Sequence, residues 1–209
     1  GWRIQSWIHE VAQHAAPYDC GQFWGRFNRL LNERPAPWKT VLPDFHSAAL
    51  RWAQWANVRQ MAPLEYSELC IELEGLAPLF LNLESKLMPA VQHHDAKRAN
   101  MILSDQGFRA IDLDTLQPGY LGSDFADLVR SMAAVRTEDD PNGNSTDPET
   151  VRELWDGYVN GWPEVAVHED TVSLMPAYLS WVQALRFATD AANGSTYYRI
   201  DYPEHNWVR

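Results

Sequence analysis

The chain has 209 residues, 45% of them hydrophobic and ten of them tryptophan, with a formal net charge of −11. A chain of that length folds as one domain, or as one large lobe of a bigger enzyme, with apolar surface for a substantial core. The acidic balance argues against a nucleic-acid or anionic-membrane surface, no apolar run reaches the ~20 residues of a membrane span, and no signal peptide is visible. Nucleotide binding stays open, because a bound divalent ion brings the positive charge that phosphates need. The two cysteines, Cys20 and Cys70, are far apart and form no metal motif, so buried reduced thiols and a cytoplasmic location are expected.

In chain order, Gly1 to Ile8 alternates like a strand, and a strand at an exposed terminus normally has neighbours on both sides, so a preceding segment is expected. Pro17 to Asn32 places Cys20, Phe23, Trp24, Phe27, Leu30 and Leu31 on one helical stripe. Asp44 is a candidate cap for a second helix bearing Leu50, Trp52, Trp55 and Val58. Leu64 to Leu87 reads as helix broken or kinked at Gly75 and Pro78. Met101 to Leu103 and Phe108 to Ile111 read as two short strands, with Ser104-Asp105-Gln106-Gly107 as the turn and Gly107 suited to a left-handed backbone. Ser123 or Asp124 caps a helix through Phe125, Leu128, Val129 and Met132. Thr137 to Asp147 reads as a mobile acidic loop, Asp147-Pro148 as a helix start, and Asn193-Gly194 as the stop of a last long helix from about residue 176.

The chemistry gathers around the predicted hairpin. His93-x-Asp95-x-x-x-x-Asn100 has the spacing of a kinase catalytic loop, in which the Asp takes the acceptor proton and the Asn binds metal. Folding about residue 106 brings Asn100 opposite Asp112 to within a residue, and directly opposed residues of an antiparallel pair lie ~5 Å apart. The amide oxygen of Asn100 and the carboxylate of Asp112 can then hold one divalent ion. Oxygen ligands of this kind favour Mg²⁺ or Mn²⁺.

A mainly α body with one small β-hairpin resembles the C-terminal lobe of the protein-kinase-like aminoglycoside phosphotransferase and choline kinase superfamily. His93 to Asn100, Ile111-Asp112-Leu113-Asp114-Thr115, Asp124 to Arg130, Leu185 to Asp190 and Tyr197 to Asn206 resemble its N-acetylhexosamine 1-kinase branch, which also carries the name mucin desulfatase. The resemblance covers residues 1–46, 91–135 and 183–209 well. It implies that residues 1–209 form one kinase-like lobe. Within it, 1–12 would be hinge strand and linker, and 91–116 the catalytic loop and metal-binding hairpin.

By that resemblance Asp95 is the catalytic carboxylate, and Lys97 offsets charge at the transferring phosphoryl group. Asn100 and Asp112 hold Mg²⁺ on ATP, with Asp114 on a second ion or positioning the first. Asp124 braces the catalytic loop by accepting its backbone N–H groups. Arg186 and Tyr197 contact the sugar, and the backbone around Trp7, Ile8 and Glu10 reads adenine. Residue by residue, other readings stay open: Lys97 as a solvated charge, Asp124 as a plain helix cap, Arg186 in a structural ion pair, Tyr197 and Tyr198 as core aromatics. His46, His168 and His205 read as isolated, packed or surface histidines.

His94 and Ala96 replace the branch's usual Asn and Thr, and no Gly-rich phosphate loop occurs in the chain. The superfamily's N-terminal lobe is missing from these residues, so little activity is expected of them alone. The implied reaction is ATP- and Mg-dependent phosphorylation of a sugar hydroxyl, the anomeric hydroxyl of an N-acetylhexosamine. The alternatives are another small-molecule acceptor, such as an amino sugar, aminoglycoside or choline, and an inactive kinase-fold binding module. The partner in the first two cases is a small molecule.

Overall fold

Pro17 opens helix α1 (Pro17–Glu33) in the computed structural model, which describes residues 15–33, 36–140 and 145–209. The expected hinge strand, with Trp7, Ile8 and Glu10, lies outside the described residues. Helix α1 buries Cys20, Trp24 and Asn28, four residues apart on one face, with Gly21 and Gly25 beside them. Helix α2 (Ala48–Val58) is capped by Ser47, whose hydroxyl accepts the Leu50 N–H at 3.2 Å. The expected cap, Asp44, stands three residues earlier in a left-handed turn (φ 56°), and its carbonyl accepts the Ser47 N–H. That turn leaves Ser47 as the extended residue from which the helix starts.

Helix α3 (Ser67–Glu84) runs unbroken through Gly75 and Pro78, where a break or a kink was expected. Its buried side, Cys70, Leu73, Ala77, Phe80 and Leu83, keeps helical spacing past both residues, and packing decides the conformation. Pro78 lies on the exposed side, so the carbonyl that loses its N–H partner meets water.

Four short strands follow: β1 (Pro89–Gln92), β2 (Met101–Ser104), β3 (Gly107–Ala110) and β4 (Gln117–Tyr120). The expected hairpin is β2–β3, with Ser104 paired to Gly107 across Asp105-Gln106 and Gly107 at φ 94°, where a side chain would be strained. A second antiparallel pair, β1–β4, was not expected. Pro118 and Gly119 hide its strand signal, and both are tolerated because β4 has a single neighbour. The two pairs are separate sheets, and the loop 93–100 passes from one to the other.

Helix α4 (Ser123–Met132) begins after Gly122, which takes the N-cap position at φ 88°; neither Ser123 nor Asp124 is the cap. Helix α5 (Pro148–Gly161) starts as the sequence indicates, with the Asp147 carboxylate accepting the N–H groups of Glu149 and Thr150. The expected loop before it is clasped at its base by the Val135 N–H to the Ser145 carbonyl and the Asp147 N–H to the Ala133 carbonyl. A 3-10 turn over Pro163–His168 leads to the short α6 (Glu169–Val172), then α7 (Met175–Ala192) and a final turn, α8 (His205–Val208).

Two apolar clusters form the interior. Helices α2, α3 and α7 enclose Trp55, Phe80, Tyr178 and Trp181; helices α1, α4 and α5 enclose Trp24, Phe125, Leu154 and Tyr158. Helix α4 joins them, giving Ala126 to the first and Phe125, Leu128 and Val129 to the second. Helices α1 and α5 cross unusually closely, because Gly21 and Gly25 face Gly157 and Gly161. A Cβ on any of the four would collide with a backbone atom of the other helix. Both cysteines are buried and free, and burial pushes the Cys20 thiol up to about 11. No helix among the described residues is long and apolar enough to cross a membrane.

Candidate active site

The loop 93–100 owes its shape to a buried carboxylate. Asp124, in the first turn of α4 and fully buried, accepts the backbone N–H of His93 at 2.8 Å and of His94 at 2.7 Å, one on each oxygen. The helix N-terminus favours the negative charge there. An amide at this place would turn an NH₂ group against one of those donors. Asp124→Asn is therefore expected to destabilise the fold by ~2–3 kcal/mol, the cost of leaving one buried donor unmade, read as a lower urea midpoint at unchanged slope.

His93 ties the loop to the hairpin. Its buried ring donates from Nε2 to the Ile111 carbonyl at 2.9 Å and accepts the Asp95 N–H on Nδ1 at 3.3 Å, with Trp24 packed edge-on against it. Both nitrogens are used, so His93 is no free ligand. Among the described residues, no group of three or more His, Cys, Asp or Glu is placed to hold a metal.

Asp95 receives Lys97 Nζ at 2.9 Å and Asn100 Nδ2 at 2.8 Å on the same oxygen, Oδ2, and Asn100 also donates to the Asp95 carbonyl. Oδ1 takes part in neither bond. Lys97 is about half exposed, so its pairing with Asp95 adds little to stability, roughly 0–1 kcal/mol. The Asn100 amide nitrogen is committed to Asp95, which turns its Oδ1 away from that carboxylate.

In the hairpin Met101 pairs with Ala110, so the residue directly across from Asn100 is Ile111, whose N–H donates to the Asn100 carbonyl at 3.0 Å. Asp112 comes one position later, exposed, in a left-handed conformation (φ 58°, ψ 55°) that bends the chain into the 3-10 turn Leu113–Thr115 carrying Asp114. One carboxylate and one amide oxygen are the donor types that a hard divalent cation takes, with waters and phosphate oxygens as its other ligands. Such an ion would neutralise charge on nucleotide phosphates.

Asp95 and Lys97 line a groove of about 1520 Å³ together with Asp127, Arg130, Arg186 and Tyr198. Asn100, Asp112, Asp114 and Tyr197 are not on its wall. Arg186 Nη1 donates to the Gln183 side chain at 3.0 Å, and the guanidinium lies over Phe45 at 5.4 Å and Tyr198 at 5.6 Å. Tyr197 is 75% exposed, whereas Tyr198 is the tyrosine turned into the groove. Both sit in a loop anchored by the buried Asp190, which accepts the backbone N–H groups of Thr196, Tyr197 and Tyr198 and the Asn206 amide. The non-glycine residues with positive φ among those described are Asp44, His94, Asp112 and Ser195, of which His94 directly precedes Asp95 and Ser195 stands in the loop of Tyr197 and Tyr198. Such strain gathers where a site dictates the backbone.

Asp127 was not singled out from the sequence. It is buried and bonded to Arg130 at 3.1 Å, and burial, followed by repulsion from Asp95 and Asp124, pushes its carboxyl up to about 7 against the pull of Arg130. Between the ordinary carboxylate range and about pH 7, the folded chain holds a proton that the unfolded chain has released. This contribution is therefore fully present at low pH and is lost as pH rises through about 7. Asp127→Asn is expected to flatten that part of the stability curve, with the gain over wild type growing between about pH 4 and 7 and level above that, as melting temperatures across pH will show.

Comparison with known proteins places this architecture in a class. The sequence model of the phosphotransferase enzyme family, APH, matches residues 1–168, and the chain belongs to that family. The fold is that of small-molecule kinases. A choline kinase from Cryptosporidium parvum Iowa II is similar at 13% identity and a TM-score of 0.52, over 98% of this chain and 66% of that one. A glucosamine kinase is similar at 13% identity and a TM-score of 0.51, over 92% of this chain and 51% of that one. The chain thus spans less than two thirds of the length of either structure.

Proposed function

We propose that this chain carries the catalytic loop, metal ligands and acceptor side of an ATP- and Mg-dependent small-molecule kinase, and that its acceptor is the anomeric hydroxyl of an N-acetylhexosamine. The observation that carries the reaction type is Asp95, held on one oxygen by Lys97 and Asn100 while the other takes part in neither bond, in a loop braced by Asp124. Asp95 accepts the acceptor's proton as the hydroxyl oxygen bonds to the γ-phosphorus, and the bond from that phosphorus to the β–γ bridging oxygen breaks to release ADP. Lys97 offsets charge on the transferring group. Asn100 and Asp112 are the ion's protein ligands, with Asp114 beside them in the following turn.

Arg186 favours an oxygen-rich, uncharged acceptor over choline or an aminoglycoside. It puts a fixed cation at the groove wall, held between aromatic faces, where a positively charged acceptor would be repelled. An assay of the full-length protein with Mg-ATP and a panel of N-acetylglucosamine, N-acetylgalactosamine, glucosamine, choline and an aminoglycoside tests this. Phosphorylation of the N-acetylhexosamines alone supports it. Turnover confined to choline or aminoglycosides overturns the acceptor, and turnover of none of the panel favours a kinase-fold binding module.

A further inference from the structure

His94, the residue immediately before Asp95, holds φ 66°, a conformation costly for any residue with a side chain. Its ring is almost fully enclosed and occupies the space a Cβ on Gly119 would fill. Nε2 lies 3.2 Å from the Gln117 carbonyl oxygen, and Nδ1 lies 3.3 Å from Nδ1 of His46, also buried. A carbonyl oxygen can only accept, so His94 Nε2 carries the proton. In a neutral ring its Nδ1 is then a lone pair, and His46 must present an N–H from its own Nδ1.

Both rings are held neutral. Burial pushes His46 well below the ordinary histidine range, helped by His94, Arg186, Arg130 and Arg51. Burial also lowers His94, opposed by Asp124 and the Gln117 carbonyl and reinforced by His93. His46 is fastened in turn: its ring stacks on Phe45 with centroids 4.6 Å apart, and its carbonyl accepts the Tyr178 hydroxyl at 2.8 Å. Phe45 is the ring that carries the Arg186 guanidinium. An unbroken line of contacts therefore runs from Asp95 through His94, His46 and Phe45 to Arg186.

We propose that His46 is a positioning residue for the catalytic loop: its Nδ1–H, bonded to His94 Nδ1, holds Asp95 at a fixed place relative to the Arg186 end of the groove. The role of Asp95 in this statement rests on the phosphotransferase reading above; the hydrogen bond and its effect on the loop do not.

Nitrogen-15 spectra of the histidine-labelled chain at pH 7 provide the test, together with amide exchange at Asp95, whose N–H is bonded to His93. The expected result is a neutral Nδ1–H tautomer for His46 and a neutral Nε2–H tautomer for His94. His46→Phe keeps the stacked ring but removes the donor, and should speed Asp95 exchange by about tenfold or more, with His94 losing its single tautomer. His46→Asn, whose amide places a donor at the same reach, should restore exchange to within about threefold of wild type. An Nε2–H or cationic His46, or unchanged Asp95 exchange in His46→Phe, overturns the proposal; if that variant does not fold, the tautomers and His46→Asn decide. None of these readouts needs turnover, so a failed phosphorylation assay leaves this result standing, and unchanged exchange in an active kinase sinks only the positioning role.

Discussion

In the full-length protein Asp95→Asn is expected to lower kcat by about 10³-fold, within the 10²–10⁴ range of a positioned general base, while leaving the acceptor KM within about threefold. The reasoning is local. Asparagine keeps the size of the side chain, and its amide oxygen can still accept from Lys97 Nζ and Asn100 Nδ2, as Oδ2 does now. Its other end becomes an NH₂ group that cannot take a proton from the attacking hydroxyl. The loop keeps its shape because the braces act on the backbone: the His93 and His94 N–H groups on Asp124, and the Asp95 N–H on His93. Steady-state kinetics with Mg-ATP check it. A variant with unchanged kcat would remove Asp95 from the chemistry.

The second large effect is on stability. Gly157→Ala is expected to destabilise the fold by ~3 kcal/mol or more, at or beyond the upper end of overpacking costs, because what the new methyl meets is backbone. A Cβ there would drive into the Tyr18 carbonyl and the Gln22 N–H of α1, and neither can swing aside as a side-chain tip does. Gly75→Ala is the control: no neighbour lies within 4 Å of its would-be Cβ, it sits in the interior of α3, and alanine there should be neutral or stabilising by up to ~1 kcal/mol. Urea unfolding of the two variants checks both signs. Equal effects would mean that the close crossing of α1 and α5 carries no weight in the fold.

The main helices and the β2–β3 hairpin were legible because their signals are local. The Asp147-Pro148 start, the Asn193-Gly194 stop and the turn before Gly107 each depend on residues close in sequence. The continuity of α3 through Pro78 was not, since it depends on which side of the helix faces solvent. The β1–β4 pair joins segments about 28 residues apart, with proline and glycine in one of them, and neither segment announces the other.

In the site, the grouping of Asp95 with Asn100 is written in short-range spacing. The groove wall is not: Asp127 and Tyr198 come to it from segments distant in sequence from the loop and from each other. His46 read as an isolated histidine because its partner lies 48 residues away. The four glycines of the helix crossing did leave a trace, since Gly21 and Gly25, like Gly157 and Gly161, are four apart, the spacing that puts two hydrogen side chains on one helical face.

Asp124 and Asp190 solve one problem twice, each gripping a run of consecutive main-chain amides rather than the groups those residues display. A segment moored in this way keeps its trace whatever it carries. On the proposed phosphotransferase reading, residues 196–198 can therefore be exchanged to suit a different acceptor while the main chain of both segments keeps its place, provided the two aspartates stay. Relatives handling dissimilar small molecules could diverge along just this path, changing what is recognised while leaving intact how the phosphoryl group moves.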